Sequence, residues 1–289
     1  MKKSISSISI FIIILLLFLN MVNIQSKKKL IEKLDSKALA LKNNIFMLQY
    51  YKMIESTDIC IPKNVYQCWI SKFKKIPKCI QESLSILRDQ NKNFNFHFFD
   101  DQMCSNFIRD NFNKEVVDAY EKFIPEAYKA DLWRYCIMYI KGGIYIDCKF
   151  IMHENNTLDC LLYNEYYVRD IPRYDKEEYI YQALLVAKPG NKLFLKCINQ
   201  IVTNVNSRNV GSGPLDVTGP HLIAYQIREN ISYLVNRGKF NILDLKNVGN
   251  GNISYKDKLF LKIHKKKDYY SNVDKNNRYG TVYPYIYKN

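Results

Sequence analysis

The chain has 289 residues, 47% of them hydrophobic, and a formal net charge of +15. This length and composition agree with one α/β domain that has a large core, once an N-terminal leader is set aside. The lysines are spread along the chain, and the sequence has no arginine-rich arm, zinc module or RNA-binding signature. The interpretation as a basic nucleic-acid-binding protein is therefore supported by charge alone. A basic surface would also attract an anionic small molecule.

Residues 1–26 are predicted to be a signal anchor. Residues 5–22 carry no charge, and about 18 to 20 apolar residues are just enough to span a bilayer. Ile24 fits poorly near a signal-peptidase site, so we favour an uncleaved anchor over a cleaved leader, which would give a secreted protein. Residues 27–56 are predicted to be a helical stem, because Leu30, Leu34 and Leu41 recur at helical spacing. A first helix packed on the domain at 57–289 is the alternative.

Strands and helices alternate in the first part of this domain. We predict a strand over Ile61 to Ile70, a helix over Ile80 to Arg88 and a strand over Phe94 to Phe99. Helices are predicted over Met103 to Phe112 and over Lys114 to Phe123. This alternation is typical of an α/β domain whose sheet is rich in parallel strands.

The next predicted helix begins near Pro125, where a missing N–H does no harm. Asp131, Arg134 and Tyr135 stand at i, i+3 and i+4 and therefore share one face. Leu132 and Cys136 belong to an apolar stripe on another face. The pattern predicts one face for chemistry and one for packing.

A buried strand is predicted directly after this helix. Gly142 and Gly143 can supply the positive φ that ends the helix, and residues 144–146 are too apolar to lie exposed. Asp147 therefore follows a strand end, where an α/β sheet presents ligands. Further along, a strand over Tyr181 to Ala187 and a helix over Leu193 to Val205 are predicted.

Four segments, in this order, together resemble family 32 glycosyltransferases, which carry a DXD sugar-binding region. Residues 129–135 and 142–149 are similar to R-A-D-hydrophobic-x-R-Y followed by G-G-x-Y-hydrophobic-D-x-D. Residues 61–70 resemble the opening I-P-K-x-x-x-Q-x-W strand, and residues 217–220 resemble the T-G-P turn. The group is related to initiating α-1,6-mannosyltransferases and to capsular polysaccharide glycosyltransferases.

The resemblance implies the GT-A fold of nucleotide-diphospho-sugar transferases, a Rossmann-like mixed sheet flanked by helices. It implies transfer of a hexose, with retention, from a nucleotide diphosphate sugar to a glycan or glycoprotein acceptor. It also implies a single-pass type II membrane protein with its domain in the Golgi or ER lumen. A non-catalytic relative that binds sugar nucleotide or glycan is the alternative, and a basic nucleic-acid-binding protein is a third option.

The resemblance also implies residue roles. Asp131 and Arg134 would hydrogen-bond sugar hydroxyls, and Asp147 would approach the ribose and the sugar. Trp69 would stack on the nucleobase. The remaining donor-binding candidates are Tyr135, Gly143, Tyr145, Lys149, Thr218, Gly219, Pro220 and His264. Each has a structural alternative: a surface ion pair for Asp131 with Arg134, core packing for Trp69 and Tyr135, an ordinary turn at 218–220, and a structural role for His264.

This chain departs from the family's metal-binding pattern, because Lys149 stands where the family has the second acid of DXD. Asp147 would be a ligand of Mn²⁺ or Mg²⁺ if a carboxylate from elsewhere completed the site. The Lys149 ammonium could instead neutralise part of the diphosphate charge. A third alternative is that the protein binds sugar nucleotide without turnover.

The eight cysteines include no C-x-x-C pair, so a structural zinc site is not expected. An even number suits disulfides in a lumenal domain. For Cys68 in a strand and Cys136 on the apolar helix stripe, buried free thiols are favoured.

Overall fold

The computed structural model describes residues 61–71, 75–171, 179–228, 245–265 and 284–288. All of these residues belong to the second of two units, Ser56–Asn289. The predicted anchor and the predicted stem, residues 1–56, lie outside the described residues. Among the described helices, none combines the length and the apolar character needed to cross a bilayer.

The described part of the second unit alternates strands and helices in its first half and ends in short strands. In chain order the elements are β1 (Asn64–Trp69), α1 (Lys78–Gln90), β2 (Asn95–Asp100), α2 (Asp101–Asn111), α3 (Lys114–Lys122), α4 (Glu126–Lys141), β3 (Gly143–Ile146), β4 (Phe150–Met152), β5 (Tyr166–Arg169), β6 (Ile180–Ala187), α5 (Lys192–Asn206), α6 (Pro220–Arg228), β7 (Leu245–Asn247), β8 (Ile253–Tyr255) and β9 (Lys258–Ile263). Each predicted strand and helix between residues 61 and 205 is present, with small shifts at its ends.

The described strands form one mixed sheet in the order β2-β1-β3-β6-β5-β7-β8-β9-β4. β1 pairs in parallel with both β2 and β3, whereas β3 and β5 pair antiparallel with β6. The prediction of a sheet rich in parallel strands is therefore right for β2-β1-β3, and β5 with β7 is the one other parallel pair among the described strands. β7, β8 and β9 follow one another through short turns, and strands joined in this way pair antiparallel because a parallel pair needs a long crossover.

Both faces of the central strands are covered by core. On β3, Tyr145 packs into the core on the side of α4 and α5, while Ile144 and Ile146 pack into the core on the opposite side. This is the alternation of a strand, on which successive side chains point to opposite faces. The apolar run before Asp147 is thus a strand buried on both faces, as predicted.

Helix α4 is buried on all sides in its middle. Every residue from Asp131 to Met138 is buried, and Leu132 and Cys136 lie fully in the core. The predicted packing stripe is therefore confirmed at Leu132 and Cys136, but the face with Asp131, Arg134 and Tyr135 is buried as well. The helix lies between its neighbours and the sheet, so its polar side chains are enclosed together with its apolar ones.

The turn from α4 into β3 requires two glycines. Gly142 has φ +60° and Gly143 has φ +99°, as predicted for residues that end the helix. A Cβ on Gly142 would lie 2.3 Å from the Pro189 nitrogen, and one on Gly143 would lie 2.6 Å from the Asn64 carbonyl oxygen. These close approaches let β3 begin directly beside β1, one residue after the helix ends.

Candidate functional site

A cavity of about 120 Å³ lies at the carboxyl ends of β1 and β3. Because the two strands are parallel neighbours, their last residues meet at the same edge of the sheet, which is where such sheets present ligands. The wall also takes residues from α1 and from the first half of α4. The lining residues are Cys68, Trp69, Ile70, Ile80, Glu126, Ala127, Ala130, Arg134, Tyr145, Asp147, Cys148 and Lys149.

Arg134 connects α4 to the end of β3. Its Nη2 lies 3.3 Å from Asp131 Oδ1 and 4.0 Å from Asp147 Oδ1, so two predicted carboxylates converge on one guanidinium. Its Nη1 donates to the Gln182 carbonyl oxygen at 3.0 Å, and the group lies over the Tyr145 ring at 4.7 Å. With only 9% of its side chain exposed, Arg134 presents donors to the cavity from a fixed position.

Asp147 is an ionised carboxylate held among donors. Its Oδ1 accepts a hydrogen bond from the Tyr145 hydroxyl at 2.8 Å, and its Oδ2 lies 2.6 Å from Lys149 Nζ. Burial alone would raise the pKa of Asp147, but the charges of Lys149 and Arg134 and these hydrogen bonds outweigh burial and lower it. The carboxylate therefore stays charged at neutral pH.

The segment after Asp147 is tied down from two sides. The Ser83 hydroxyl on α1 donates to the Cys148 carbonyl oxygen, and the His264 N–H donates to the Lys149 carbonyl oxygen at 2.9 Å. The Lys149 side chain is only 12% exposed. Contacts from both ends of the domain sequence thus fix the backbone that carries Lys149.

Asp131 lies behind Arg134, outside the cavity wall. It has no exposed surface, and its Oδ2 accepts a hydrogen bond from the Thr218 hydroxyl at 2.7 Å. The alternative of a surface ion pair with Arg134 is wrong, because both side chains are enclosed. In this position Asp131 contacts the same guanidinium nitrogen, Nη2, that lies nearest to Asp147.

Several predicted donor-binding residues lie in the layer behind Asp131 or in the sheet. The Tyr135 hydroxyl donates to the Thr218 carbonyl oxygen at 3.1 Å and accepts from Gln182 Nε2, and the Tyr135 ring stacks with Phe194. Gly219 packs against the Leu215 backbone. None of these predicted residues lines the cavity: Tyr135, Gly143, Thr218, Gly219, Pro220 and His264.

Trp69 is half-buried and lines the cavity at the end of β1. Its ring packs against a small cluster that includes Cys79, Ile80 and Cys148. Its Nε1 is buried and has no hydrogen-bond partner among the described residues. Trp69 therefore packs against the core, as its structural alternative predicts, and also lines the cavity with its indole ring.

His264 contacts a different part of the surface from the cavity. Its Nε2 lies 3.2 Å from Glu82 Oε2 on α1, and the neighbouring Lys265 Nζ lies 2.6 Å from the same oxygen. Hydrogen bonds from Lys265 and from His264 lower the pKa of Glu82. His264 thus helps to hold the end of β9 against α1, which agrees with the structural alternative for this residue.

Sequence reasoning missed the part of the wall that α4 supplies before Asp131. Glu126, Ala127 and Ala130 line the cavity together with Arg134. Glu126, Ala130 and Arg134 stand at i, i+4 and i+8, a helical spacing that could have grouped them. Two further contacts carried no comparable signal, because the partners lie far apart along the chain. In one, the Gln182 carbonyl oxygen accepts from Arg134; in the other, the Ser83 hydroxyl donates to the Cys148 carbonyl oxygen.

The donor set around Asp147 does not fit a divalent cation. Mn²⁺ or Mg²⁺ on a diphosphate takes oxygen ligands, with one or two protein carboxylates beside the phosphates and waters. Both Asp147 oxygens already contact Tyr145 or Lys149, and a second cation, Arg134, stands nearby. Over the described ranges, no three Asp, Glu, His or Cys side chains group in a way that could hold a metal ion.

The described cysteines are free thiols. Cys68, Cys136 and Cys148 are buried, and Cys160 is partly exposed. The preference for buried free thiols at Cys68 and Cys136 is thereby confirmed. Cys148 Sγ donates to the Cys68 carbonyl oxygen at 3.2 Å, which joins the ends of β3 and β1 under the cavity.

A family model described as capsular polysaccharide synthesis protein matches residues 18–210, more than half of the 289-residue chain. An uncharacterized glycosyltransferase of Acanthamoeba polyphaga mimivirus is 34% identical over 95 residues, 33% of this chain and 38% of that protein. The inositol phosphoceramide mannosyltransferase 2 of Schizosaccharomyces pombe is 32% identical over 114 residues, which are 39% of this chain and 32% of that protein. The initiation-specific α-1,6-mannosyltransferase of Candida albicans is 29% identical over 90 residues, which are 30% of this chain and 23% of that protein. The chain therefore spans well under two thirds of each relative.

Among solved structures, the PaToxG glycosyltransferase is similar with a TM-score of 0.50 and 18% identity, over 72% of this chain and 83% of that chain. At this identity the likeness concerns the fold alone. It agrees with the mixed α/β architecture of GT-A glycosyltransferases that the sequence resemblance implied.

Proposed function

This chain belongs to the capsular polysaccharide synthesis protein family, and we propose that it transfers a hexose from a nucleotide diphosphate sugar to a glycan or glycoprotein acceptor. The family and its glycosyltransferase relatives support the reaction class. The observation that carries the proposal to named residues is the cavity at the end of β3, where Arg134 lies between Asp131 and Asp147. A finer assignment to the GT-A fold, with the donor across the carboxyl edge of the sheet, is part of the same proposal.

The reaction places clear demands on the cavity. The bond between the anomeric carbon and the diphosphate oxygen breaks, and its electron pair leaves with the nucleoside diphosphate. The acceptor oxygen forms the new bond, with retention as the family resemblance implies, and its proton passes to solvent. Fixed donors and charges lower the barrier, because they need no rearrangement as charge develops.

Arg134 and Asp147 are suited to hold the sugar. The guanidinium presents planar donors that are already oriented by the Gln182 carbonyl and by Asp131. The Asp147 carboxylate is an acceptor for sugar or ribose hydroxyls, and its charge is maintained by its neighbours. Trp69 offers an indole surface for a nucleobase. Asp131 and Thr218 act through Arg134, as positioning residues.

The experiment is a transfer assay on the purified protein with UDP-hexoses and GDP-hexoses and a panel of glycan acceptors. Release of UDP or GDP that depends on acceptor supports the proposal. Binding of a sugar nucleotide without turnover under all conditions would favour the non-catalytic relative, a possibility raised by Lys149 at the second DXD position. Absence of both binding and turnover would overturn the assignment.

Membrane attachment is a separate part of the proposal. The uncharged residues 5–22 support a single-pass anchor, with the catalytic domain in the Golgi or ER lumen. Alkaline extraction of membranes from cells that express the full chain tests it. A protein released into the soluble fraction would contradict the anchor.

A further inference from the structure

Two cations stand at the cavity wall beside a single carboxylate. Lys149 Nζ lies 2.6 Å from Asp147 Oδ2, and Arg134 Nη2 lies 4.0 Å from Asp147 Oδ1. A divalent cation bound to Asp147 would have to displace the Lys149 ammonium. It would then lie close to two positive charges in a poorly solvated place, where like charges repel strongly.

The Lys149 ammonium is held in place by several independent contacts. Its Nζ lies over the Phe150 ring at 5.3 Å and over the Tyr181 ring at 5.4 Å. Its backbone oxygen accepts from the His264 N–H, and its side chain is 12% exposed. A charge fixed in this way can meet an anion without rearrangement, which is the condition for strong electrostatic stabilisation.

The charge on the donor requires a partner of this kind. A nucleotide diphosphate sugar carries negative charge on both phosphates, and further negative charge develops on the leaving oxygen as the bond to the anomeric carbon breaks. Lysine binds phosphate oxygens as a compact point charge with three donors. Of the lysines in the described ranges, Lys149 is the one that lines the cavity.

We propose that the Lys149 ammonium binds the diphosphate of the donor in place of a divalent cation, so that donor binding requires no metal. This inference rests on the proposed function, because it names the cation of the same site. The Lys149 ammonium interacts with the diphosphate oxygens both before and after the bond to the anomeric carbon breaks.

The first experiment measures calorimetric binding of UDP and of GDP to the full chain, in EDTA and in MnCl₂. We expect the nucleotide that binds to do so at least as tightly in EDTA as in MnCl₂, because free Mn²⁺ can only compete for it. Adding wild-type protein to Mn²⁺ and nucleotide should produce no electron paramagnetic resonance signal from protein-bound Mn²⁺. A wild-type Kd that weakens tenfold or more in EDTA, or a protein-bound Mn²⁺ signal, would overturn the inference.

The second experiment uses variants of Lys149. K149M removes the charge and should weaken nucleotide binding in EDTA by at least about tenfold, as for loss of one charge-assisted hydrogen bond. K149R keeps the charge and should retain most of the affinity. K149D restores the D-x-D pattern and should bind nucleotide only when Mn²⁺ is present. K141M is the matched control, because Lys141 is exposed at the end of α4, and it should bind as wild type does.

The outcomes separate this inference from the proposed function. Metal-dependent binding and transfer by the wild-type protein would contradict the proposed role of Lys149 and leave the glycosyltransferase assignment intact. A K149M protein that binds as tightly as wild type in EDTA would do the same. No binding of either nucleotide and no transfer would overturn both. If circular dichroism shows that K149M does not fold, the electron paramagnetic resonance measurement on the wild-type protein still tests whether the donor site holds a metal.

Discussion

The Thr218 hydroxyl donates a 2.7 Å hydrogen bond to Asp131 Oδ2, and neither residue has exposed surface. The bond ties the turn before α6 to the helix that carries Arg134. Asp131 in turn contacts the Arg134 guanidinium at 3.3 Å. A residue far along the chain thereby helps to determine the direction in which Arg134 presents its donors.

Thr218→Val should therefore destabilise the protein. The substitution keeps the shape of the side chain but removes the Thr218 hydrogen bond to the buried Asp131 carboxylate, which costs about 1–3 kcal/mol. Urea denaturation followed by circular dichroism measures the change in free energy of unfolding. Thr203→Val is the matched control, because Thr203 is exposed on α5, and it should change stability by less than about 0.5 kcal/mol. Equal unfolding midpoints for the two variants would show that the Thr218 bond contributes nothing.

Asp147→Asn and Asp131→Asn should both reduce transfer while differing in stability. Each removes a charge from the pair that flanks Arg134, and we expect transfer to fall by about 10-fold to 100-fold. Asp131→Asn should also lower the free energy of unfolding by about 3 kcal/mol, because it breaks a buried ion pair. Asp147 is 22% exposed, so its variant should lose less stability. Wild-type transfer by either variant would contradict the site assignment.

Ala130→Leu should block donor binding without unfolding the protein. Ala130 is half-buried and lines a cavity of about 120 Å³, into which a larger side chain would project. We expect nucleotide binding to become undetectable by calorimetry, while the thermal midpoint stays near that of wild type. Ala130→Ser, which adds a single oxygen, is the control and should still bind. Unchanged affinity in Ala130→Leu would mean that the donor binds elsewhere.

The buried cysteines should resist alkylation in the folded protein. Burial raises the pKa of the Cys136 and Cys197 thiols well above the usual range and raises the pKa of Cys160 to about 11. Because the thiolate is the reactive form, iodoacetamide at pH 8 should label Cys136 and Cys197 only after denaturation in urea. Peptide mapping by mass spectrometry measures the labelling of each residue. Equal rates with and without urea would contradict the burial of these thiols.

Local patterns were sufficient to predict most elements in the first two thirds of the domain. The buried strand before Asp147 was predictable because three apolar residues with two glycines ahead of them leave few alternatives. The ends of α4 followed from Pro125 and Gly142 for the same local reason. The order of the later strands was not predictable, because β6 pairs antiparallel beside β3 through contacts between distant parts of the chain.

The sequence by itself determined that Asp131 and Arg134 share a helix face and that Asp147 follows a strand, because helical and strand periodicities act over a few residues. Only the tertiary structure decided which of these side chains meets the cavity. Arg134 and Asp147 line it, whereas Asp131 and Tyr135 are enclosed behind them by residues 182 and 218. Spacing along a helix fixes the direction of a side chain relative to its neighbours, while the packing of distant segments determines whether that direction leads to solvent or to core.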